Sequence, residues 1–310
     1  MKDIIVTGGS GQLGHCIKDI YIDAYDSFTD IRILFPSHYE FDITCPDSML
    51  NYIEDKSPVC IINCAAFTNV NESQFKDDPY IININGVENL VNLCASKDIF
   101  LVQISSDYVF NGSPIVKSEN NIDELLPVNR YGITKLKAEK IITDGLTKYS
   151  IIRTSWLYSK YRQNFVKTII NKLLNNSVEY VKPIKVVYDQ IGSPTYAMDL
   201  AKFIIECYIM EFTKDIPILK SGIFHFSNLG VISWYDFAVA IKEILSKYNS
   251  VYDLEDIFPI RTEDLDISCP RPKISILSKD KVITEFNYKI PHWKKSLENF
   301  MYNYISNLFS

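Results

Sequence analysis

The residues best suited to chemistry in this sequence are two pairs of a tyrosine and a lysine, each pair spaced four positions apart. Tyr131 and Lys135 occur in "YGITK", and Tyr52 and Lys56 occur in "YIEDK". On a helix, positions four apart share a face. An ammonium beside a phenol stabilises the phenolate and lowers the tyrosine pKa, so that the tyrosine can exchange a proton near neutral pH. Both pairs have the same spacing, so their surroundings must show which pair is functional.

A strand predicted from "IFLVQISS" (99–106) ends in two serines, and Asp107 follows it. In a doubly wound fold, ligands bind at the carboxyl ends of the strands. A hydroxyl at this position, such as that of Ser106, can hydrogen-bond a substrate carbonyl and orient it for hydride transfer. Because the Tyr131 helix follows this strand, we expect Ser106, Tyr131 and Lys135 to form the catalytic group.

The other pair is predicted to have no chemical role. Tyr52 and Lys56 lie on a predicted helix before the third strand, "VCIIN" (59–63). That position is near the amino-terminal edge of the sheet, away from any cofactor. We expect these two residues to form a solvated helix face.

Four glycines separate the first predicted strand from the first predicted helix in "IIVTGGSGQLGHCIKDIY": Gly8, Gly9, Gly11 and Gly14. A tight turn needs residues without a Cβ, and bare backbone at a helix N-terminus lets a pyrophosphate approach the amides and the positive end of the helix dipole. The strand-turn-helix context predicts a dinucleotide site rather than an ordinary tight turn. A Walker-type loop is excluded because no Gly-Lys-Ser/Thr follows the glycines.

The end of the second predicted strand leaves the choice of dinucleotide open. NAD sites usually have an Asp or Glu there to bind the ribose hydroxyls, whereas "IRILFPSHYEFD" has Phe35, Pro36 and Ser37 in that region. Without a carboxylate, a 2′-phosphate is not repelled. An arginine that would favour it is also missing, unless His38 substitutes for it. The predicted cofactor is therefore NADPH or NADH.

Alternating strands and helices position these residues in the first half of the chain. Short β-rich runs predict strands at 3–7, 31–35, 59–63, 99–106 and 150–156. Helical patterns lie between these strands, near 12–25, 46–55, 79–97 and 128–146. This alternation is typical of right-handed βαβ units in a parallel sheet covered on both faces. Beyond about residue 156 the alternation of strands and helices becomes less regular. Helical patterns there lie near 162–176, 195–211, 233–247 and 294–308.

The predicted fold class is α/β, a Rossmann-type doubly wound parallel sheet with a smaller C-terminal α+β substrate domain. Residues 1–155 are assigned to the dinucleotide-binding domain, with a later contribution from about 178–210. Residues 156–310 are assigned mainly to the substrate domain, which is interleaved with the first.

Composition and charge exclude several other functions. The chain has 310 residues, 47% hydrophobic content and a formal charge of −6, with a pI near 5.4. These values are typical of a folded soluble protein and argue against nucleic-acid binding. The seven cysteines form no Cys-x2-Cys pair and the four histidines have no ligand spacing, so we predict no metal site and a reduced, cytoplasmic protein. The first apolar run is too short for a signal peptide, and no run approaches a membrane span.

The sequence resembles members of the extended short-chain dehydrogenase/reductase superfamily. In that superfamily, a serine or threonine acts with the tyrosine and lysine of Tyr-x3-Lys on sugar nucleotides. Within its sugar-nucleotide branch, the chain more closely resembles the dTDP-4-dehydrorhamnose reductase family. The resemblance rests on phrases that occur in order from residue 1 to about 277: "TGGSGQLG", "INCAAFTNVNESQ", "ISSDYVFNG", "YGITKLKAEK", "RTSWLYSKYRQNFVKTII", "VVYDQIGSPTYAMDLA", "GIFHFSNLGVISWYDFA" and "PRPKISIL".

The resemblance implies roles for individual residues. Cofactor contacts are implied at Gly8, Gly11, Gln12, Leu13, Asp42, Ile43, Ala65, Ala66 and Phe67, with Asp42 and Ile43 beside the adenine. Tyr131 would be the proton donor and Lys135 its partner on the nicotinamide ribose. Ser106 and Asp107 would contact the sugar, with Trp156 packing near it. Without the resemblance, Trp156 would be interpreted as a buried aromatic at the domain junction.

The sequence departs from the family pattern at three positions. Ser106 stands where the family usually has Thr, which keeps the hydroxyl. Asn71 replaces an Asp, and Gln74 replaces an Ala or Glu. These last two changes bear on which sugar is bound rather than on the fold.

The activity implied by the resemblance is reduction of the C4 ketone of dTDP-4-dehydro-L-rhamnose to dTDP-L-rhamnose. Two alternatives stay open: another sugar-nucleotide reductase or epimerase of the superfamily, and a non-catalytic regulatory subunit of the methionine adenosyltransferase type. A Mg²⁺ ion held by carboxylates at a subunit contact would leave no sequence pattern and is also open, as is a homodimer. The predicted partner is a small-molecule sugar nucleotide, with no nucleic acid and no membrane.

Overall fold

The computed structural model describes residues 1–28, 30–175, 183–248, 257–265 and 269–306. Parts of several predictions lie outside these residues. They are residue 29 of the assigned dinucleotide-binding domain, 178–182 of its predicted later contribution, the last residues of the helices predicted near 162–176 and 294–308, and 176–182, 249–256, 266–268 and 307–310 of the assigned substrate domain.

Strands and helices are numbered in chain order. The strands are β1 (Lys2–Thr7), β2 (Ile31–Leu34), β3 (Pro58–Asn63), β4 (Phe100–Ser106), β5 (Tyr149–Thr154), β6 (Leu157–Tyr158), β7 (Ile184–Val187), β8 (Ile191–Gly192), β9 (Thr195–Tyr196), β10 (Gly222–His225), β11 (Ile232–Ser233), β12 (Ile257–Ile260) and β13 (Ile274–Ser275). The α-helices are α1 (Gln12–Asp23), α2 (Pro46–Ile53), α3 (Asp78–Tyr80), α4 (Gly86–Lys97), α5 (Arg130–Gly145), α6 (Phe165–Asn175), α7 (Ala197–Ile204), α8 (Trp234–Tyr248), α9 (Asp280–Phe286) and α10 (Trp293–Ser306).

A six-stranded sheet forms the centre of the fold, in the order β10-β5-β4-β3-β1-β2, and all of its pairings are parallel. The apolar runs of β1, β3, β4 and β5 are buried on both faces, as a parallel sheet between helices requires, whereas the edge strand β2 has Arg32 exposed. Each of these five strands lies within two residues of its predicted ends. The predicted fold class is confirmed.

Helices cover both faces of the sheet because successive strand side chains point to opposite sides. Ile4 of β1 packs on one face, with α1 and α7, whereas the next residue, Ile5, packs on the other face, with α2, α4 and α5. The helix predicted over 79–97 is interrupted: α3 and α4 are joined by a π-helical turn, Ile81–Asn85. A second π-helical turn, Ile205–Ile209, extends α7.

The order of the strands places a crevice beside β1. This strand lies between β2 and β3, so the connections that follow β1 and β3 leave the sheet in opposite directions. In open parallel sheets, ligands bind at such a switch point, outside the carboxyl ends of the strands. The glycine loop follows β1, and the segment Cys64 to Phe67 follows β3 at the same edge.

The second half of the chain contributes to both regions of the molecule. Strand β10 extends the central sheet beside β5, and α7 packs against α1. A separate apolar cluster joins α6, α8 and α10 to the parallel pair β7 and β12. The short strands form a three-stranded sheet in the order β11-β8-β13 and a parallel pair of β6 with β9. Across the described ranges, no helix is long and apolar enough to span a bilayer.

Candidate active site

The glycine loop leaves the N-terminus of α1 open to a ligand. Gly8 has φ of +63°, and a Cβ there would lie 2.6 Å from the Ala65 nitrogen, so only glycine fits between the two loops. Gly11 is the N-cap residue of α1, and in the described structure no side chain caps this helix. The first amides of a helix lack intrahelical partners and attract anions. The loop therefore fits a pyrophosphate.

A cavity of about 1010 Å³ lies over the glycine loop. Its walls include the following predicted cofactor residues: Gly8, Gly11, Asp42, Ile43, Ala65 and Ala66. Phe35 and His38, at the end of β2, also line it. Phe67 does not line this cavity; its backbone N–H donates to Asn83 Oδ1 at 2.9 Å. The cavity is large enough for the adenosine half of a dinucleotide.

A second cavity, of about 560 Å³, adjoins the first at the carboxyl ends of β4 and β5. Four residues line both cavities: Gly11, Cys64, Ala66 and Arg162. The second cavity is also lined by Gln12, Leu13, Ser106, Asp107, Tyr131, Lys135 and Trp156. All of the predicted catalytic and substrate-binding residues therefore meet around one space, next to the predicted cofactor site.

Helix α5 carries Tyr131 into the second cavity. Asn129 caps its N-terminus and accepts a hydrogen bond from the Gly132 N–H at 2.8 Å. The Tyr131 ring is buried and packs edge to face on Tyr108, with the ring centroids 5.6 Å apart. A Cβ on Gly132 would lie 2.1 Å from the Tyr108 carbonyl oxygen, so this glycine lets the helix approach the loop after β4.

The pKa of Tyr131 corrects one expectation from the sequence. We expected the Lys135 ammonium to lower it, but burial dominates in the structure and raises this pKa well above its usual value, while a hydrogen bond with Ser106 acts in the opposite direction. Tyr131 is therefore protonated at neutral pH. This is the state that a proton donor needs before the reaction.

Lys135 lies one helical turn after Tyr131 and is also buried. Its ammonium donates to the Ile104 carbonyl oxygen at 2.7 Å. Burial lowers the pKa of Lys135 to about 8, and the nearby Glu139 and Cys64 side chains act in the opposite direction. The side chain is mostly charged at neutral pH and has lost about half of its protonation near pH 8.

Asp107 is mostly buried in the wall of the second cavity. Its carboxylate accepts hydrogen bonds from Ser106 Oγ, at 2.9 Å, and from Ser275 Oγ. Burial raises the pKa of Asp107 to about 6, and these hydrogen bonds only partly offset the effect. Ser106 also accepts a hydrogen bond from the Tyr108 N–H at 3.2 Å. Ser106 and Asp107 therefore form one hydrogen-bonded unit beside Tyr131.

Trp156 adopts a backbone conformation that is unusual for a bulky residue, with φ of +49°. Its indole stacks on Trp234 at the start of α8, and the edge of the same ring lies against Gly192 of β8. Trp156 thus joins the sheet to the C-terminal region, as expected for a junction aromatic, and also lines the second cavity. Trp156 is only partly buried, and its contact with the sugar stays a prediction.

Three residues at the cleft were not singled out from the sequence. Arg162 has φ of +52° and donates from Nε to the Ser10 carbonyl oxygen at 2.7 Å, so it crosses the glycine loop. Asn164 Nδ2 donates to Gln12 Oε1 at 3.1 Å. Trp234 lines the second cavity beside Trp156. The only signal for Arg162 and Asn164 was the phrase "LYSKYRQNF", because their contacts are more than 140 residues away in sequence.

Tyr52 and Lys56 lie away from the cleft, as predicted. The expectation that they form a solvated helix face is wrong. Helix α2 ends at Ile53, so Lys56 lies beyond it, and its ammonium donates to the Tyr52 carbonyl oxygen at 2.8 Å. Tyr52 is half-buried and packs edge to face on Phe41. A cavity of about 1050 Å³ lies near Lys56 at this edge of the sheet, but neither the glycine loop nor the Ser106 group lines it.

The two family departures after β3 both contact the segment around Arg271. Asn71 Oδ1 accepts a hydrogen bond from Arg271 Nη2 at 3.4 Å, and Gln74 Nε2 donates to Cys269 Sγ at 3.0 Å. The same segment lies near the cleft, because the Arg271 charge acts on Tyr108, which lines the second cavity. As far as the structure describes the chain, three or more His, Cys, Asp or Glu side chains do not cluster as metal ligands would.

Comparison with known proteins identifies relatives along nearly the whole chain. A family profile described as "RmlD substrate binding domain" matches residues 1–306. A dTDP-4-dehydrorhamnose reductase from Aggregatibacter actinomycetemcomitans is 31% identical over 300 residues, which cover 96% of this chain and 98% of that protein. Two crystal structures of proteins with the same name are also similar. The one from Clostridium acetobutylicum has 33% identity, a TM-score of 0.83 and coverage of 99% and 100% of the two chains. The one from Bacillus anthracis, solved in complex with NADP, has 32% identity, a TM-score of 0.82 and coverage of 98% and 99%.

Proposed function

Because the chain belongs to the family described as RmlD substrate binding domain, we propose that it is an NAD(P)H-dependent dTDP-4-dehydrorhamnose reductase. It would reduce the C4 ketone of dTDP-4-dehydro-L-rhamnose to the alcohol of dTDP-L-rhamnose. The observation that carries the proposal is the single cavity in which Ser106, Tyr131 and Lys135 meet beside the glycine loop.

Tyr131 is proposed as the proton donor. Bound NADPH or NADH supplies a hydride to the C4 carbon. The carbonyl oxygen, which gains the electron pair of the broken C=O π bond, takes the proton of the Tyr131 hydroxyl, so that a neutral alcohol forms and a phenolate is left on the protein. The raised pKa of Tyr131 keeps this proton in place until negative charge develops on the substrate oxygen.

Lys135 and Ser106 support this transfer. The Lys135 ammonium, on the same face of α5, would stabilise the phenolate and bind the nicotinamide ribose. Ser106 supplies a hydroxyl at the same wall of the cavity, where it orients the carbonyl. Asp107 and Trp156 contact the sugar.

The remaining cofactor assignments follow the two adjoining cavities. Gly8, Gly11, Gln12 and Leu13 would hold the pyrophosphate at the N-terminus of α1. Asp42 and Ile43 would lie beside the adenine, and Ala65, Ala66 and Phe67 would border the nucleotide after β3. The absence of an acidic side chain at Phe35, Pro36 and Ser37 supports use of either NADPH or NADH.

The cellular location, the partners and the oligomeric state are part of the same proposal. The protein would act in the cytoplasm on a small-molecule sugar nucleotide, without nucleic acid, and would form a homodimer. A Mg²⁺ ion at a subunit contact stays a prediction, since its ligands would come from two copies of the chain. The two-domain division at residue 155 also stays a prediction.

A turnover assay with a panel of sugars tests the proposed activity. The purified protein is mixed with enzymatically made dTDP-4-dehydro-L-rhamnose and either NADPH or NADH, and oxidation of the nicotinamide is followed by absorbance, with the product identified by NMR. We expect turnover with this sugar and slower turnover with the ketosugar that has not been epimerised at C3 and C5. Folded protein that binds NADPH but reduces no ketosugar would contradict the proposal. Co-purification with a partner enzyme under those conditions would favour the regulatory-subunit alternative.

A further inference from the structure

Glu139 lies on α5 one turn beyond Lys135, and its buried carboxylate joins three elements. Arg153 donates to it through Nη2, at 2.6 Å to Oε2, and through Nε, at 3.0 Å to Oε1. Ser105 Oγ donates to Oε1 at 2.5 Å. Ser105 and Arg153 are paired across β4 and β5. One carboxylate therefore holds the catalytic helix to the ends of two neighbouring strands.

Glu139 lies close in the chain to two residues assigned to the reaction, one through its contact with Ser105 and one along its own helix. Ser105 directly precedes Ser106, and Lys135, four positions before Glu139, shares its helix face. Lys135 also donates to the carbonyl oxygen of Ile104, on the same strand as Ser105. Glu139 itself does not line the cavity. Any effect on the reaction must therefore pass through these neighbours.

The charges around Lys135 give Glu139 a second role. Glu139 acts on the ammonium from its own helix, and Cys64 acts on it from the segment after β3. Burial lowers the pKa of Lys135, and among these groups Glu139 has the largest opposing effect.

The positive charge of Arg153 is not balanced by its other neighbours when Glu139 is absent. Arg153 lies between Glu139 and His225 of β10, and Arg153 Nη1 is 3.3 Å from His225 Nε2. Burial and the Arg153 charge hold the pKa of His225 well below its usual value, so the imidazole is neutral and accepts this hydrogen bond. Glu119 lies on the other side of His225, 3.9 Å from Nδ1. Glu139 is therefore the carboxylate in direct contact with Arg153.

We propose that Glu139 is a positioning residue for the reductase reaction. Through Ser105 and Arg153 it holds α5, and with it the helix face that carries Lys135, against the ends of β4 and β5. The kinetic part of this inference rests on the proposed reductase function, whereas its effect on NADPH binding does not.

Three variants separate charge from attachment. Glu139→Gln keeps the size of the side chain and an acceptor for Ser105 but removes the charge. The double variant Glu139→Gln/Arg153→Met also removes the guanidinium that the single variant would leave buried without its carboxylate, and such neutral replacements of a buried pair are usually tolerated. Ser105→Ala removes the attachment to β4 and keeps the charge next to Lys135.

The pH dependence of NADPH affinity and of kcat/KM is measured for each variant. In both Glu139 variants, we expect the pKa on the basic side of each profile to fall by about one unit, because a nearby carboxylate no longer favours the protonated lysine. In Ser105→Ala, we expect the same basic pKa as in the wild type and a kcat reduced by about threefold, because the end of β4 is less well held.

Each outcome decides the inference. If either Glu139 variant folds and keeps both wild-type pH profiles, the proposal is wrong. If both fail to fold while Ser105→Ala folds, Glu139 is structural only and the proposal is again wrong. If the wild type turns over no ketosugar but the pH profile of NADPH affinity still shifts, the reductase function fails and the role of Glu139 stands.

Discussion

Trp156 and Trp234 stack face to face, with ring centroids 3.6 Å apart and planes 11° from parallel. The two residues come from the end of the central sheet and the start of α8, and together they form one wall of the second cavity. Gly192 lies against the edge of the Trp156 ring. The shape of the proposed sugar site therefore depends on a residue with no functional group.

Gly192→Ala should impair sugar binding without impairing cofactor binding. A Cβ at this position would lie 2.7 Å from Trp156 Cε2, so the indole must move into the cavity or away from Trp234. We expect KM for the sugar nucleotide to rise about tenfold and the free energy of unfolding to fall by about 1–3 kcal/mol, as in other overpacked sites. Steady-state kinetics and urea denaturation measure the two effects.

Gly145→Ala is the matched control for crowding. Its Cβ would lie 2.6 Å from Val91 Cγ1, between α4 and α5 and outside the lining of the cleft. It should lower stability but leave the KM for the sugar nucleotide unchanged. An equal rise in KM in both variants would show that lost stability, rather than the displaced Trp156, is responsible.

Tyr131→Phe should remove the proton donor while preserving the fold. We expect kcat to fall by about 10²- to 10⁴-fold, the usual contribution of a positioned general acid, with NADPH affinity nearly unchanged. Tyr52→Phe is the control, because Tyr52 has the same spacing to a lysine but lies at the opposite edge of the sheet. Equal activity in the two variants would remove Tyr131 from the mechanism.

Gly11→Ala should weaken NADPH binding more than it weakens the fold. An added Cβ would approach only the Gly8 carbonyl oxygen, at 3.1 Å, and would otherwise project toward the open helix N-terminus. It would hold a pyrophosphate away from the amides, so we expect an increase in Kd of about tenfold, equivalent to about 1.4 kcal/mol. Titration by isothermal calorimetry measures it, and Gly145→Ala, outside the lining of both cavities, serves as a control that should bind normally.

Asp107→Asn should stabilise the protein at neutral pH. The folded-state pKa of Asp107 is raised from 3.8 to about 6, so the folded state binds more protons than the unfolded state between these values and loses stability as pH rises through this range. Asparagine cannot ionise, and we expect it to add about 1–3 kcal/mol to the free energy of unfolding above about pH 7 and almost nothing near pH 4.

Urea denaturation of the wild type and Asp107→Asn at both pH values tests this difference, with turnover measured in parallel. We expect a lower activity in the more stable variant, because the ionised carboxylate would be held for sugar binding rather than for folding. A stability gain that is the same at both pH values would mean that ionisation of Asp107 is not its cause.

Most of the central sheet could be predicted because its signals are local. Apolar runs of strand length, the helical patterns between them and the glycine turn all lie within short segments, and βαβ connections restrict how such segments assemble. The tenth strand was not predicted as part of this sheet. Its sequence, "GIFH", is short, and only its pairing with β5 shows where it belongs.

The position of Ser106, Tyr131 and Lys135 could also be inferred from order along the chain, since strand ends and the following helix meet at one edge of a parallel sheet. The electrostatic state of these residues could not. The spacing of Tyr131 and Lys135 suggested a lowered tyrosine pKa, whereas burial raises it, and burial depends on how distant segments pack.

The sequence by itself determined the α/β class, the dinucleotide-binding turn and which of two identical Tyr-x3-Lys spacings would lie at the cleft, because turn geometry and element order are encoded in neighbouring residues. Only the tertiary structure decided that Trp234, Arg162 and Asn164 complete the cleft, that Glu139 joins the catalytic helix to two strands, and how burial alters the pKa of Asp107, Tyr131 and Lys135. These properties arise from contacts between residues far apart in the chain and from the exclusion of water around them.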